Sequence, residues 1–364
     1  MQPVLSVLVI SFNQRELLRR CFQSLLEQRI RVPWEIVLSD ALSHDGTYEL
    51  AEEYAVNYNS LAASPNAQGY YSPEFVPVHC DTDEGDAQNR TECCGWMKLT
   101  AYRHARGEYF VNIDADDYLR SNDIYQLQLN MLATHPECSM CMQDVWQVND
   151  GESLDTGSRW PSYGKLTNEQ ILFPSGIISD YRALNQCYMI RRHPEADCAA
   201  LYGKYFDDTV ITLHHLQFGP VVYVDRADYV WVEYGSSIGH SIVGDDRVVE
   251  YGLLPLHHIR YIPNFATEFM QYGLHDVIRM LKHLSLNNYR WQLSEPTQVA
   301  FHEVPGRIYR VFSHNQSTIF DRIYLRYVRL VALLYSRFGL TNWRYLYELL
   351  ISRKAAKEIN WNDK

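Results

Sequence analysis

The chain opens on a mostly apolar run, Val4–Ile10, that passes from alternating to continuous after Ser6, is rich in β-branched residues and stops at Ser11-Phe12-Asn13. A run this short, closed by polar residues, predicts a buried strand feeding a loop. From Glu16 to Glu27 the apolar positions fall at Leu17, Leu18, Cys21, Phe22, Leu25 and Leu26, the spacing of one helical face. Trp34–Ser39 predicts a second strand, Asp40–Thr47 a polar turn and Tyr48–Tyr58 a second helix. Phe75–Cys80, Trp96–Ala105 and Tyr109–Ile113 then predict strand, helix and strand. Alternation of this kind predicts right-handed crossovers and a mostly parallel α/β sheet flanked by helices. Asn59–Ser72 is polar and longer than an ordinary connection, either a cover for a site or a surface excursion. Past residue 135 the pattern changes to one strand, Cys138–Val148, a polar loop through Gly164 and mixed segments to about residue 240. Beyond His257 it reads as mainly helical. The expected organisation is a domain over 1–245, in halves 1–120 and 121–245, followed by a helical region over 246–364.

Composition narrows the classes. A chain of 364 residues with 46% hydrophobic and 21% charged residues can bury a large core. Its net charge of -11 speaks against nucleic acid as a partner. Tyr (27) and Trp (8) are abundant, and such side chains suit sugar clefts as well as ordinary cores. The 8 cysteines are dispersed, and Cys138-x-x-Cys141 has no second pair to complete a zinc set, so reduced, buried thiols are expected. The first apolar run lacks a basic leader and is too short to span a bilayer, from which a cytoplasmic protein is expected. A Gly-x-Gly-x-x-Gly loop does not follow the first strand, which lowers the case for a dinucleotide enzyme.

Ligands of open parallel sheets collect beyond the carboxyl ends of the strands. To that edge the predicted strands deliver Phe12-Asn13, Asp40 and Asp114-Ala115-Asp116-Asp117. Asp114 and Asp116 share an orientation if strand geometry continues that far. Two carboxylates beside a third suit a hard divalent ion that also grips phosphate. The plainer alternative is a strand-exit turn, where Asp is common.

Ser6-Val7-Leu8-Val9-Ile10-Ser11-Phe12-Asn13, Leu38-Ser39-Asp40-Ala41-Leu42-Ser43-His44-Asp45-Gly46-Thr47 and Ala105-Arg106-Gly107-Glu108-Tyr109-Phe110-Val111-Asn112-Ile113-Asp114-Ala115-Asp116-Asp117 occur in that order. Together they resemble the family 2 inverting glycosyltransferases. The resemblance covers residues 4–120 well and 175–240 loosely. It implies a GT-A fold, a nucleoside-diphosphate sugar donor and a divalent metal, Mn²⁺ or Mg²⁺. It also implies that Asp40 accepts a hydrogen bond from the base, that Phe12 meets the base, and that Lys98 lies near the nucleotide. Asp114 corresponds to the ribose-side member of the metal motif and Asp116 to the ligand that holds the diphosphate. The family's usual Ala-Arg-Asn around the basic position is Met97-Lys98-Leu99 here. Asp45-Gly46 is expected to shape its turn, with Gly46 free to take a positive φ.

Inversion also needs a general base outside the metal cluster. In the acidic pair Asp207-Asp208, ahead of the helical pattern Thr209–Phe218, the resemblance makes Asp208 the base, with Asp207 orienting the loop or touching acceptor. A helix cap is the alternative. His214 and His240 are candidates for phosphate contact, and Tyr188 and Arg191 for the acceptor-side wall. A glycan or lipid-linked acceptor, as in bacterial surface polysaccharide assembly, follows from family analogy alone. Two rivals remain, a sugar-phosphate nucleotidylyltransferase and an inactive sugar-binding scaffold. Finally, Arg322 to Lys357 carries eight basic residues against Glu348 alone, amid apolar side chains. The expected role is helix packing or homo-oligomerisation, or peripheral contact with the inner face of an anionic membrane.

Overall fold

The computed structural model describes residues 1–80, 90–160, 166–174, 187–193 and 208–234. All belong to the first of the two units into which the chain divides, Met1–His240. The expected helical region and its basic stripe lie outside the described residues, as do Asp207 and His240.

The nucleotide-side half alternates as its sequence predicts. It runs β1 (Leu5–Ser11), α1 (Arg15–Leu26), β2 (Trp34–Asp40), α2 (Thr47–Tyr58), β3 (Glu74–His79), α3 (Arg90–His104) and β4 (Tyr109–Asp114). Then follow β5 (Tyr118–Leu119), α4 (Ile124–Thr134), β6 (Met140–Met142), β7 (Val145–Asn149), β8 (Ser158–Trp160) and β9 (Ile171–Leu172). The last described elements are β10 (Tyr188–Arg191), α5 (Asp208–Leu216), β11 (Val221–Tyr223) and β12 (Tyr229–Glu233). Among the described residues, eight strands form one sheet in the order β3-β2-β1-β4-β10-β6-β11-β9, and four form a second, β5-β12-β7-β8. Strands β3, β2, β1 and β4 are parallel, and β10 enters antiparallel between β4 and β6.

The expected single strand Cys138–Val148 is two. After β6 the chain leaves the large sheet at Gln143-Asp144 and enters the small one as β7. Asp144 fixes that corner: its N–H donates to the Arg226 carbonyl, and its carboxylate accepts from Arg159 and from the Tyr223 hydroxyl at 3.0 Å. The polar pair Gln143-Asp144 marks the switch, β6 being buried throughout and β7 only in part.

β1 and β2 are buried along their whole length, which explains why they read as runs rather than alternations. Phe22 of α1 packs edge-on to Phe75 of β3 at 5.1 Å, and each such buried ring contributes on the order of 2 kcal/mol. The Ala105-Arg106-Gly107 segment is a latch at the amino end of the sheet. Arg106 grips the fully buried Glu35 of β2 through its backbone N–H and guanidinium, while Ser6 donates to the same carboxylate at 2.7 Å. Gly107 passes so close to β1 that a Cβ would stand 2.7 Å from the Ser6 nitrogen. Cys138 and Cys141 are free, buried thiols whose pKa values burial raises, that of Cys138 to about 11.

Candidate active site

Parallel register brings the strand ends of the first half to one edge. Ser11 pairs with Asp40, Asp40 with His79, and Ile10 with Asp114. Behind this edge Ile10, Ala41, Cys80 and Met97 form an apolar cluster, against which Phe12, Cys94 and Trp96 pack partly buried. Phe12 thus closes the apolar cluster at the carboxyl end of β1.

The turns here are shaped by side chains acting on backbone. Asp40 is fully buried, and both its oxygens are taken by Ser43, from N–H at 2.8 Å and from Oγ at 2.5 Å. Asn13 and Leu42 adopt left-handed φ values of 53° and 57°, conformations that cost a non-glycine residue on the order of 1 kcal/mol. Asn13 is held by the Ser43 hydroxyl and accepts from His44 N–H at 2.8 Å. Asp45 serves both flanking helices, accepting from the first N–H of α1 (Arg15) and the first N–H of α2 (Thr47), each at 3.0 Å. Partial burial opposes ionisation of Asp45, but the Thr47 hydroxyl and these N–H groups together hold its pKa below the usual value. Gly46 follows at φ 86°, the turn-forming role expected of the pair.

Asp114, Asp116 and Asp117 stand together, with carboxylate oxygens within 4.8 Å of one another. Burial first, and then the Asp114 charge, raise the Asp116 pKa from 3.8 to about 6. Asp117 is raised further by burial and by both neighbours, although the Tyr229 hydroxyl (2.6 Å) and Val232 N–H (3.0 Å) support its charged form. The buried Lys98 ammonium of α3 lies 3.9 Å from Asp114. Asp117 is committed to the protein, whereas Asp114 and Asp116 sit half-buried at the edge. An all-oxygen set in which burial and mutual repulsion raise the Asp116 and Asp117 pKa values fits a hard divalent cation, whose charge would relieve the crowding.

Two contributors had no sequence signal. Arg20 of α1 donates to the Asp116 carbonyl at 2.6 Å and to the Tyr234 hydroxyl at 2.9 Å, and lies over the Tyr118 ring at 4.5 Å. Tyr229 reaches Asp117 across a separation of 112 residues. Both contacts are long-range, and neither residue belongs to a motif.

The second-half candidates divide. Asp208 is the first residue of α5. Tyr188 is buried at the start of β10, on the side of β4's carboxyl end. Arg191 is a correction: it pairs with Tyr109 at the opposite end of β4. There its guanidinium donates to the Tyr109 hydroxyl at 2.8 Å and the Leu132 carbonyl at 2.6 Å, a structural brace remote from the acceptor side. His214 of α5 is buried and meets Phe218 edge-on at 5.5 Å; Phe218 in turn stacks on His193, which follows β10. Its neighbour His215 is buried and held neutral, with burial lowering its pKa to about 3.

Comparisons with known proteins bear on the family and the fold. Uncharacterized proteins of Mycobacterium tuberculosis and Mycobacterium bovis are 24% identical over 243 residues, covering 67% of this chain and 62% of their own length. This chain thus spans less than two thirds of the curated relatives it matches. Crystal structures of S. aureus TarS 1–349 share the fold: the complex with UDP has a TM-score of 0.59 at 18% identity, covering 94% of this chain and 91% of that one. The complex with UDP-GlcNAc scores 0.58 at 17% identity. The family model described as glycosyl transferase family 2 matches residues 6–193, more than half of the sequence. On that match, and on a sheet edge built as the family's motifs imply, the chain belongs to glycosyl transferase family 2.

Proposed function

We propose that this protein is an inverting glycosyltransferase that moves a sugar from a nucleoside-diphosphate sugar to a hydroxyl of a glycan or lipid-linked acceptor. The observation that carries the reading is the convergence of Lys98, Asp114 and Asp116 beside the apolar cluster against which Phe12 packs. Phe12 meets the nucleobase, the half-buried carboxylates take a divalent ion, and Lys98 supplies positive charge beside the phosphates. The UDP and UDP-GlcNAc complexes of TarS make a sugar nucleotide the natural donor class to test. Asp40, whose two oxygens each accept one hydrogen bond from Ser43, keeps further lone pairs with which to accept from a base N–H.

In the reaction, Asp208 takes the proton of the acceptor hydroxyl. The hydroxyl oxygen attacks the anomeric carbon on the face opposite the diphosphate. The bond from that carbon to the phosphate oxygen breaks, and its electron pair leaves with the nucleoside diphosphate, so the anomeric configuration inverts. A divalent ion held by Asp116 and Asp114, Mn²⁺ or Mg²⁺, supplies electrostatic stabilisation of the leaving diphosphate. The second half contributes the base and the acceptor surface.

The test is turnover. Full-length protein is incubated with sugar nucleotides, Mn²⁺ or Mg²⁺ and a panel of glycan and lipid-linked acceptors, and the glycoside formed is examined for anomeric configuration by NMR. An inverted product supports the reading. A retained configuration contradicts the Asp208 mechanism, and binding of donor without turnover in any pairing supports a sugar-binding scaffold instead.

A further inference from the structure

Strand β12 alternates in the manner of a sheet with two different faces. Val230 and Val232 join Val148 in a core cluster, with Tyr118, Trp146 and Tyr234 packed against it. Trp231 points the other way and is 38% exposed, although β12 is an inner strand with β5 on one side and β7 on the other. A large indole left in water there gains little for folding. Trp160 of β8 lies on the same face, its ring 5.8 Å from that of Trp231 and inclined at 58°. Gln147, the register partner of Trp231 in β7, is on this face too, and its amide donates to Glu233 at 2.6 Å.

This face adjoins the acidic site within the same unit. Asp117 accepts hydrogen bonds from Tyr229 and Val232, the residues that bracket Trp231 in β12. Asp116 is its chain neighbour.

We propose that Trp160 and Trp231 form a stacking platform for a pyranose ring of the acceptor, with the Gln147–Glu233 pair meeting its hydroxyls. The inference rests on the glycosyltransferase reading and narrows its acceptor to one that presents a sugar ring rather than a bare lipid phosphate. The chemistry selects this occupant. A pyranose has a C–H face that lies against an indole and a rim of hydroxyls that both donate and accept, matching an amide and a carboxylate side by side. Anionic partners are disfavoured, because Glu233 and the Asp114–Asp117 cluster are negative in a chain of net charge -11. A protein partner covering the two rings would also have to desolvate the Gln147–Glu233 pair.

The test uses full-length protein without donor and neutral hexasaccharides as probes: maltohexaose, cellohexaose, chitohexaose and mannohexaose. Ligand-observed saturation-transfer NMR should show ring protons of at least one hexasaccharide in contact with the protein. Trp231→Ala should weaken that binding at least tenfold, Trp231→Phe should retain most of it, and Trp160→Ala should also weaken it. If Trp231→Ala fails to fold, Gln147→Ala carries the test, with a loss of at least threefold expected. Absence of saturation transfer from all four probes, or unchanged binding in a folded Trp231→Ala or Gln147→Ala protein, overturns the platform. Sugar-nucleotide turnover by the wild-type protein separates the two readings. Turnover without hexasaccharide binding leaves the transferase standing and the platform refuted. Trp231-dependent binding without turnover leaves the platform standing and the transferase refuted.

Discussion

Replacing Asp116 by Asn should make the metal-free protein more stable, because the site is built to hold more negative charge than its own residues neutralise. Asp116 has its pKa raised from 3.8 to about 6, first by burial and then by the Asp114 charge. At about 1.4 kcal/mol per tenfold change in proton affinity, that corresponds to a penalty of roughly 3 kcal/mol for keeping the ionised group in the folded state. The sign follows from proton binding. Between pH 4 and 6 the folded protein holds this proton more tightly than the unfolded chain, so the penalty is absent below about pH 4, grows with rising pH and is complete above about pH 6. The amide cannot ionise and carries no such penalty. In EDTA at pH 7.5, Asp116→Asn should therefore melt higher than wild type, by on the order of 5 °C, with the difference vanishing near pH 4. Saturating Mn²⁺ should close most of that difference. It should stabilise wild type by about 2.7 kcal/mol at one hundred times its dissociation constant, and the variant far less. Differential scanning fluorimetry across pH 4–8, with and without Mn²⁺, measures all of this. A variant no more stable than wild type in EDTA at pH 7.5, or one that Mn²⁺ stabilises equally, would refute the reasoning.

Three other substitutions probe separate parts. Asp208→Asn should lower kcat by about 10²–10⁴ with donor affinity retained, as expected for loss of the base; a cap role alone predicts a modest change in steady-state kinetics, since Asn also caps well. Asp40→Ala removes the acceptor of both Ser43 hydrogen bonds and should raise the donor KM at least tenfold with a smaller change in kcat; an unchanged donor KM would count against the turn's part in the nucleotide site. Arg106→Met strands the buried Glu35 carboxylate with only Ser6 and a backbone N–H. It should reduce stability by about 3 kcal/mol in urea unfolding, and a loss under 1 kcal/mol would mean Glu35 escapes to solvent or takes up a proton.

How legible the molecule was depended on the range of the interactions that fix it. Strands β1, β2 and β4 announced themselves as short, largely apolar runs buried on both faces, and their register then brought Asp40 and Asp114 to one edge. The Asp45-Gly46 turn was equally local, a carboxylate two residues from the N–H it caps and a glycine at positive φ. Direction across an antiparallel insertion was not legible. Arg191 looked like the basic end of an acceptor-side strand, but β10 runs against β4 and carries it to the far end of the sheet. The packing of His214 was equally hidden, because it depends on Phe218 and, through it, on His193. Arg20 and Tyr229 support the metal motif from distances of 96 and 112 residues, and nothing in their neighbourhood marks them.

The central claim, a metal-dependent nucleotide site at the carboxylate edge, is tested most directly by isothermal titration of full-length protein with UDP and GDP in the presence of Mn²⁺ and in EDTA. The account predicts that at least one nucleotide binds wild type with Mn²⁺ and loses at least tenfold in affinity in EDTA, and that Asp116→Asn removes the Mn²⁺ enhancement while the fold persists. Nucleotide binding that is equal in Mn²⁺ and EDTA, or a Mn²⁺ enhancement that survives intact in Asp116→Asn, would contradict it.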